Sequence, residues 1–81
     1  MTDKDRIKLR EITEQISYLI SMLIEMDNEL KDIDETNAEV KMELDDSSDY
    51  LKMVVSHLGL VCELIDKAYN IVKEKEDENR E

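Results

Sequence analysis

The sequence lacks several residues that most folded domains use. It contains no proline, tryptophan or phenylalanine, and it has one glycine and one cysteine among 81 residues. Turns and sheets normally depend on glycine, proline and aromatic clusters, so their scarcity favours long helices. The single cysteine, Cys62, excludes an intramolecular disulfide and a multi-cysteine zinc site, and this cysteine usage fits a cytoplasmic location.

Basic residues and long apolar runs are also scarce. The chain has 11 lysines and arginines against 22 acidic residues, which gives a net charge of −11. Such a charge repels nucleic acid and anionic lipid, so we expect no direct nucleic-acid binding, and any partner steered by charge should present a basic protein surface. No apolar run approaches the roughly 20 residues that span a bilayer, and the first residues lack the apolar stretch of a signal peptide. We therefore expect no membrane partner.

The chain does contain a long heptad repeat. From Leu9 onward, apolar residues recur at alternating spacings of three and four, which places them on one face of a helix at heptad positions a and d. The repeat keeps its phase to Val72, and only Asn37 and Ser47 interrupt it. We predict an all-α protein whose long amphipathic helices form a helical hairpin or coiled coil. The residues predicted to form an oligomer seam are Leu9, Ile12, Ile16, Leu19, Leu51, Val54, Leu58, Val61 and Ile65.

A hairpin needs a turn, and two segments are candidates for it. Residues 45–49 collect aspartates and serines, which favour caps and turns over helix interiors. The alternative is a helix start near Asn37, because Thr36 and Glu39 have the spacing of a capping box. We predict the break near 45–49, with helices over about 3–44 and 48–76. A single uninterrupted helix is the remaining alternative, because the heptad phase is continuous.

These helices define one domain over residues 1–72, followed by a charged, frayed tail over 73–81. A chain of 81 residues buries little surface by itself, so a second copy is the usual source of further burial. After Tyr50 the apolar face widens to positions e and g, for example at Val55 and Leu64, and a face this broad needs more than one neighbouring helix. We therefore expect a homodimer or higher oligomer that completes a bundle.

The negative charge is concentrated in the middle of the chain. Residues 25–49 contain eleven acidic residues and two lysines, a net charge of −9, whereas residues 1–24 and 50–72 are each neutral. This block is either a solvated helix face or a docking surface for a basic protein. We predict a non-enzymatic module, an adaptor or inhibitor of a basic partner protein. Its predicted partner-binding residues are Glu25, Glu29, Asp32, Glu39, Asp45 and Asp46.

Three other functions remain open: a nucleic-acid mimic of the kind that phages and mobile elements encode, a scaffold component, and an enzyme. The enzyme interpretation uses Glu25 with Glu29, one helical turn apart, and Glu63 with Asp66, as oxygen ligands for Mg²⁺. This pattern resembles the all-α nucleotide pyrophosphatases of the MazG kind, although Met26 stands where that family has a glutamate. Such pairs also arise by chance in an acid-rich chain, so we predict no catalytic residue, metal site or cofactor.

Overall fold

The computed structural model describes residues 1–78, which form two α-helices joined by a short connection. Helix α1 spans Asp3–Lys31, and helix α2 spans Ala38–Glu78. The two helices lie side by side in a rod of 68 × 16 × 12 Å. The predicted all-α helical hairpin is therefore confirmed within the described residues.

Two contacts near opposite ends of the rod show that the helices are antiparallel. Ser48 donates a hydrogen bond to Asp27, and Arg6 pairs with Glu76. Asp27 lies four residues before the end of α1, whereas Ser48 lies ten residues after the start of α2, so about two turns of α2 extend past α1. We call the end of the rod that holds the connection the loop end, and the opposite end the open end.

Helix α1 begins where the sequence predicts. Thr2 is its N-cap, and the Thr2 side chain accepts a hydrogen bond from the backbone N–H of Asp5 at 3.2 Å. Asp3 and Asp5 lie in the first turn, where the helix dipole favours negative charge. The predicted start near residue 3 is confirmed.

The turn lies at residues 32–37, so the prediction of a break near 45–49 is wrong. Asn37 caps α2, because its Oδ1 accepts hydrogen bonds from the backbone N–H groups of Glu39 at 3.0 Å and Val40 at 3.2 Å. These bonds satisfy donors that every helix start leaves unpaired. The alternative start near Asn37 is therefore the observed one.

Residues 45–49 lie inside α2 because their serines find partners there. The Ser47 hydroxyl donates to the backbone carbonyl of Glu43 at 2.9 Å, and the Ser48 hydroxyl donates to Asp27 on the other helix. A serine whose hydroxyl is satisfied within a helix or across a helix pair no longer competes with the backbone. The local preference of this segment for a turn is thus outweighed by contacts that form only in the hairpin.

Helix α2 ends at Glu78, close to the predicted helix end near residue 76, so the prediction that the tail frays from residue 73 is wrong as far as Glu78. Glu76 pairs with Arg6 and with the N-terminal amine of Met1, the latter at 3.6 Å. These opposite charges give the charged end of α2 a partner on α1. The last part of the predicted tail, residues 79–81, lies outside the described residues.

The helices pack through heptad positions a and e rather than a and d. The residues that are buried or half-buried between the helices are Arg6, Leu9, Thr13, Ile16, Ile20, Leu23, Asp27 and Leu30 on α1, and Leu44, Ser48, Leu51, Val55, Leu58, Cys62, Ile65, Val72 and Glu76 on α2. The a positions of the predicted repeat therefore do face the neighbouring helix. At the d positions, Ile12, Leu19, Val54 and Val61 are exposed by 41% to 47%.

Candidate interaction surfaces

One side of the hairpin carries no charged side chain over most of its length. In an antiparallel helix pair, equivalent heptad positions lie on the same side, so the d and g positions of α1 and α2 share one surface. We call this surface the uncharged face. It consists of Ile12, Gln15, Leu19, Met22 and Met26 on α1, and of Ser47, Tyr50, Val54, His57, Val61, Leu64, Ala68 and Ile71 on α2, all of them exposed.

The uncharged face is unusual for this chain, since 41% of all residues are charged. Its apolar side chains are also well exposed: Leu64 by 63%, Ile71 by 54% and Leu19 by 47%. Scattered apolar side chains are normal on protein surfaces, but a continuous apolar stripe marks a site of protein association. The uncharged face therefore has the composition of an interface.

The opposite side of the hairpin has the composition of a solvated surface. Position b of the heptad faces this side, and most of its residues are charged. The charged residues at position b are Asp3, Arg10, Lys31, Asp45, Lys52, Asp66 and Lys73, and the others are Ser17, Ile24, Ala38 and Gly59. The two sides of the same helix pair thus differ sharply in charge, and the opposite side carries only separate exposed apolar side chains, such as Ile24 and Met42, among its charges.

The fold gathers the acidic block at the loop end, and we call residues 25–49 the acidic end. The residues predicted to bind a partner come from the last turns of α1, the connection and the first turns of α2. They are Glu25, Glu29, Asp32, Glu39, Asp45 and Asp46, and each is exposed. Because the turn lies at 32–37, the carboxylates before it and after it share one end of the rod.

Asp27 is the acidic side chain in this block that does not face solvent. It is 8% exposed, accepts a hydrogen bond from Ser48 and pairs with the Nζ of Lys31 at 3.2 Å. The Ser48 hydrogen bond, followed by the Lys31 contacts, lowers the pKa of the Asp27 carboxyl against the opposing effect of desolvation. Asp27 is not among the site residues predicted from the sequence. Its position between Leu23 and Leu30 on the packed face was the available signal.

A second ionic contact closes the open end. The Arg6 guanidinium donates to a Glu76 carboxylate oxygen, and the N-terminal amine adds to the positive charge there. The Arg6 hydrogen bond lowers the pKa of Glu76, and the same bond raises the pKa of Arg6. Both side chains remain about one third exposed, so this pair orders the helix ends more than it stabilises the fold.

Cys62 and His57 show no reactive arrangement in the described part of the chain. Cys62 is a half-buried free thiol at position e, between the helices. His57 is exposed, and its Nδ1 donates to the backbone carbonyl of Met53 at 2.7 Å within the same helix. The two residues therefore occupy different faces of α2.

The carboxylates of the enzyme interpretation lie far apart along the rod. Asp27, which lies between Glu25 and Glu29, contacts Ser48, and Ser48 precedes Glu63 by 15 residues. At about 1.5 Å per residue, the two carboxylate pairs are roughly 22 Å apart along α2. Within the described residues, no group of three His, Cys, Asp or Glu side chains is arranged to hold a metal ion.

Comparison with protein-family models, with curated proteins and with solved structures found no match for this chain. Neither described helix combines the length and apolar character needed to cross a membrane.

Proposed function

We propose that this chain is a non-enzymatic protein-interaction module that self-associates through its uncharged face and offers its acidic end to a basic partner protein. The observation that carries the proposal is the uncharged face itself. A chain in which two residues in five are charged places none of those charges on one side of its helix pair over residues 12–26 and 47–71.

The hairpin by itself buries very little. Ile16, at 9% exposure, is the one apolar residue that counts as buried within the described residues. Burial of apolar surface supplies most of the free energy of folding, at roughly 25 cal/mol per Å². Stacking two hairpins through their uncharged faces forms a four-helix bundle and covers the d positions that each hairpin leaves in water.

The acidic end supports the second half of the proposal. Its six predicted binding residues are exposed, and the net charge of −9 is confined to one end of a long rod. A field of one sign at one end attracts a basic surface from a distance and orients it before contact. This arrangement suits a protein that docks on a partner by one end.

Two matched substitutions test self-association through the uncharged face. Leu19 lies on that face and is 47% exposed, whereas Ile24 lies on the opposite side and is 48% exposed. In size-exclusion chromatography with light scattering, the wild type should have the mass of a dimer at micromolar concentration. Leu19→Lys should shift the mass to that of the monomer, because it places a charge in the covered interface. Ile24→Lys should leave the dimer intact.

The masses of the wild type and the two variants can support or overturn self-association through the uncharged face. A monomeric wild type at tens of micromolar would overturn self-association. A dimer that withstands Leu19→Lys but dissociates on Ile24→Lys would place the interface on the other side of the hairpin. Helical circular dichroism spectra of both variants would show that the change in mass does not come from unfolding.

A further inference from the structure

We propose that the occupant of the uncharged face is a second copy of this chain in the opposite direction, so that the two loop ends lie at opposite ends of a four-helix bundle. In this arrangement α1 packs against α1 of the partner, and α2 against α2 of the partner. The inference rests on the proposed self-association and adds the orientation of the two copies, which the composition of the face does not specify.

The exposed area of the hairpin is large enough for a stable dimer. The accessible surface is 6863 Å². A compact monomer of 9.5 kDa exposes roughly 5000 Å² by the usual scaling with mass. The excess of roughly 1800 Å² exceeds the approximately 800 Å² that each partner contributes to a standard interface.

The charges that border the uncharged face select the orientation. At position g, the face is bordered by Lys8 of α1 and Glu78 of α2 at the open end, and by Glu29 and Glu43 at the loop end. If both copies pointed the same way, the glutamates of the two copies would meet. In the opposite orientation, Lys8 of each copy lies beside Glu29 of the other, which replaces repulsion with attraction.

The spacing of residues along α1 fits a two-fold axis through Leu19. About that axis, Leu19 meets its own counterpart, Ile12 meets Met26, and Lys8 lies within one residue of the level of Glu29. Each of these pairs joins equivalent heptad positions, d with d or g with g, as an antiparallel helix pair requires. The face of α1 is therefore complementary to itself.

The spacing along α2 fits the same axis. His57 lies within about two residues of the centre of the α2 part of the face, and an axis beside His57 brings Val54 level with Val61 of the other copy. The contact between Asp27 and Ser48 puts these two residues at the same height along the rod. Leu19 lies eight residues from Asp27 toward the open end, and His57 lies nine residues from Ser48 in the same direction. The centres of the two helices thus differ in height by about one residue, roughly 1.5 Å. One axis serves both helices.

The proposed arrangement also separates the acidic ends. With the loop ends at opposite poles, even the acidic-end carboxylates nearest the axis, Glu25 of each copy, are 12 residues apart along α1, about 18 Å, which is beyond the Debye length of about 8 Å at physiological ionic strength. With the loop ends together, those charges would face each other across the interface. The bundle therefore presents one acidic end at each pole.

Cross-linking at the axis tests the orientation. The native thiol is first removed by Cys62→Ala, and Leu19→Cys is added in that background. In the proposed dimer the two introduced thiols face each other, so oxidation or a short bis-maleimide should give a covalent dimer on a non-reducing gel. The control is Tyr18→Cys, because Tyr18 is 69% exposed and lies off the face. It should remain monomeric on the gel under the same conditions.

A charge exchange provides a second, independent test. Lys8→Glu and Glu29→Lys should each weaken dimerisation by about threefold to tenfold, since each change affects two symmetric ion pairs at the edge of the interface. The double variant that carries both changes should recover the affinity of the wild type. Analytical ultracentrifugation over a dilution series measures all three.

The outcomes separate the orientation from the proposed function. A dimer by light scattering that gives no Leu19→Cys cross-link and no recovery in the double variant would overturn the antiparallel arrangement and leave self-association standing. A wild-type monomer would overturn both. A cross-link together with recovery would support the proposed pairing.

Discussion

Asp27 and Ser48 are the two polar side chains that the hairpin buries within the described residues. A buried polar pair contributes little net stability compared with an apolar pair, but it penalises the arrangements in which the partners separate. Sliding α2 by one heptad toward the loop end would put Val55 in the place of Ser48 and leave the Asp27 carboxylate facing apolar side chains. At the scale of single residues, this pair therefore fixes the register of the two helices.

The lowered pKa of Asp27 predicts how the stability of the protein depends on pH. A carboxyl whose pKa is lower in the folded state stabilises that state above the unfolded pKa, and this contribution is lost as the pH falls through the folded pKa. Urea unfolding should show that Asp27→Asn is less stable than the wild type at pH 7. The gap should shrink as the pH falls below about 4, because the Asn side chain does not titrate.

The control for this prediction is Asp46→Asn, which changes an exposed carboxylate in the same region. It should alter the free energy of unfolding little at pH 7, as most surface substitutions do. Protein concentration must be the same in every experiment, since stability depends on it in an oligomer. A gap between the wild type and Asp27→Asn that stays constant from pH 7 to pH 2 would show that Asp27 ionisation does not stabilise the fold.

At the scale of helices, both elements carry apolar stripes at positions a and d, and further apolar side chains at position e, one on α1 and several on α2. The heptad repeat predicted the helices and the a positions, because periodic burial is visible in a sequence. The repeat could not predict that the packing between α1 and α2 uses heptad position e rather than position d. Ile20 and Val55 at e are as apolar as Leu19 and Val54 at d, so the pattern allows either pairing.

The position of the turn was also beyond local sequence signals. A cap at Asn37 and a break at 45–49 have similar local support, since a helix cap contributes only about 1 kcal/mol. The deciding contact joins Ser48 to Asp27, 21 residues earlier in the chain. Contacts between helices cannot be predicted from local sequence before the positions of both helices are known. For the same reason, the burial of Asp27 was not predicted.

Gly59 gives a prediction at this scale, because it lies in the middle of α2 on the charged side. A β-carbon at Gly59 would have no atom within 4 Å of it, apart from the neighbouring backbone. Glycine is less favourable than alanine in a helix interior by about 1 kcal/mol. Gly59→Ala should therefore raise the free energy of unfolding by about that amount, as measured by urea denaturation.

The same variant tests the choice of surface. If the opposite side were the interface between copies, the added methyl group at Gly59 would alter the dissociation constant. We expect the mass and the dissociation constant of Gly59→Ala to match the wild type. A loss of stability would instead show that another helix approaches Gly59 closely.

At the scale of the whole molecule, the hairpin is a rod with a strong charge asymmetry between its ends. A basic partner should bind the acidic end, and its affinity should fall as salt rises toward about 0.5 M, where the Debye length is below about 5 Å. Charge reversal to Lys at three exposed acidic-end positions should abolish retention of that partner from a lysate of the source cell. Those positions are Glu25, Asp32 and Asp46.

A second triple variant controls for the change in net charge. It replaces three exposed acidic residues outside the acidic end with Lys, so that its net charge equals that of the first variant. Its positions are Glu11, Glu14 and Asp66. The partner should still bind this variant, because only the location of the change differs. Equal loss of binding in both variants would mean that overall charge, rather than the acidic end, attracts the partner. Binding that ignores salt and both reversals would contradict an electrostatic interface.

The contacts between the helices grow more distant in sequence from the loop end to the open end. Asp27 and Ser48 are 21 residues apart, whereas Arg6 and Glu76 are 70 apart. Closing the longer loop costs about 1 kcal/mol more conformational entropy, and helical proteins form their local contacts early. We therefore expect the two helices to pair first at the acidic end and last at the open end. Mutual repulsion of the carboxylates would oppose that first step, and the hydrogen bond between Ser48 and Asp27 would stabilise it.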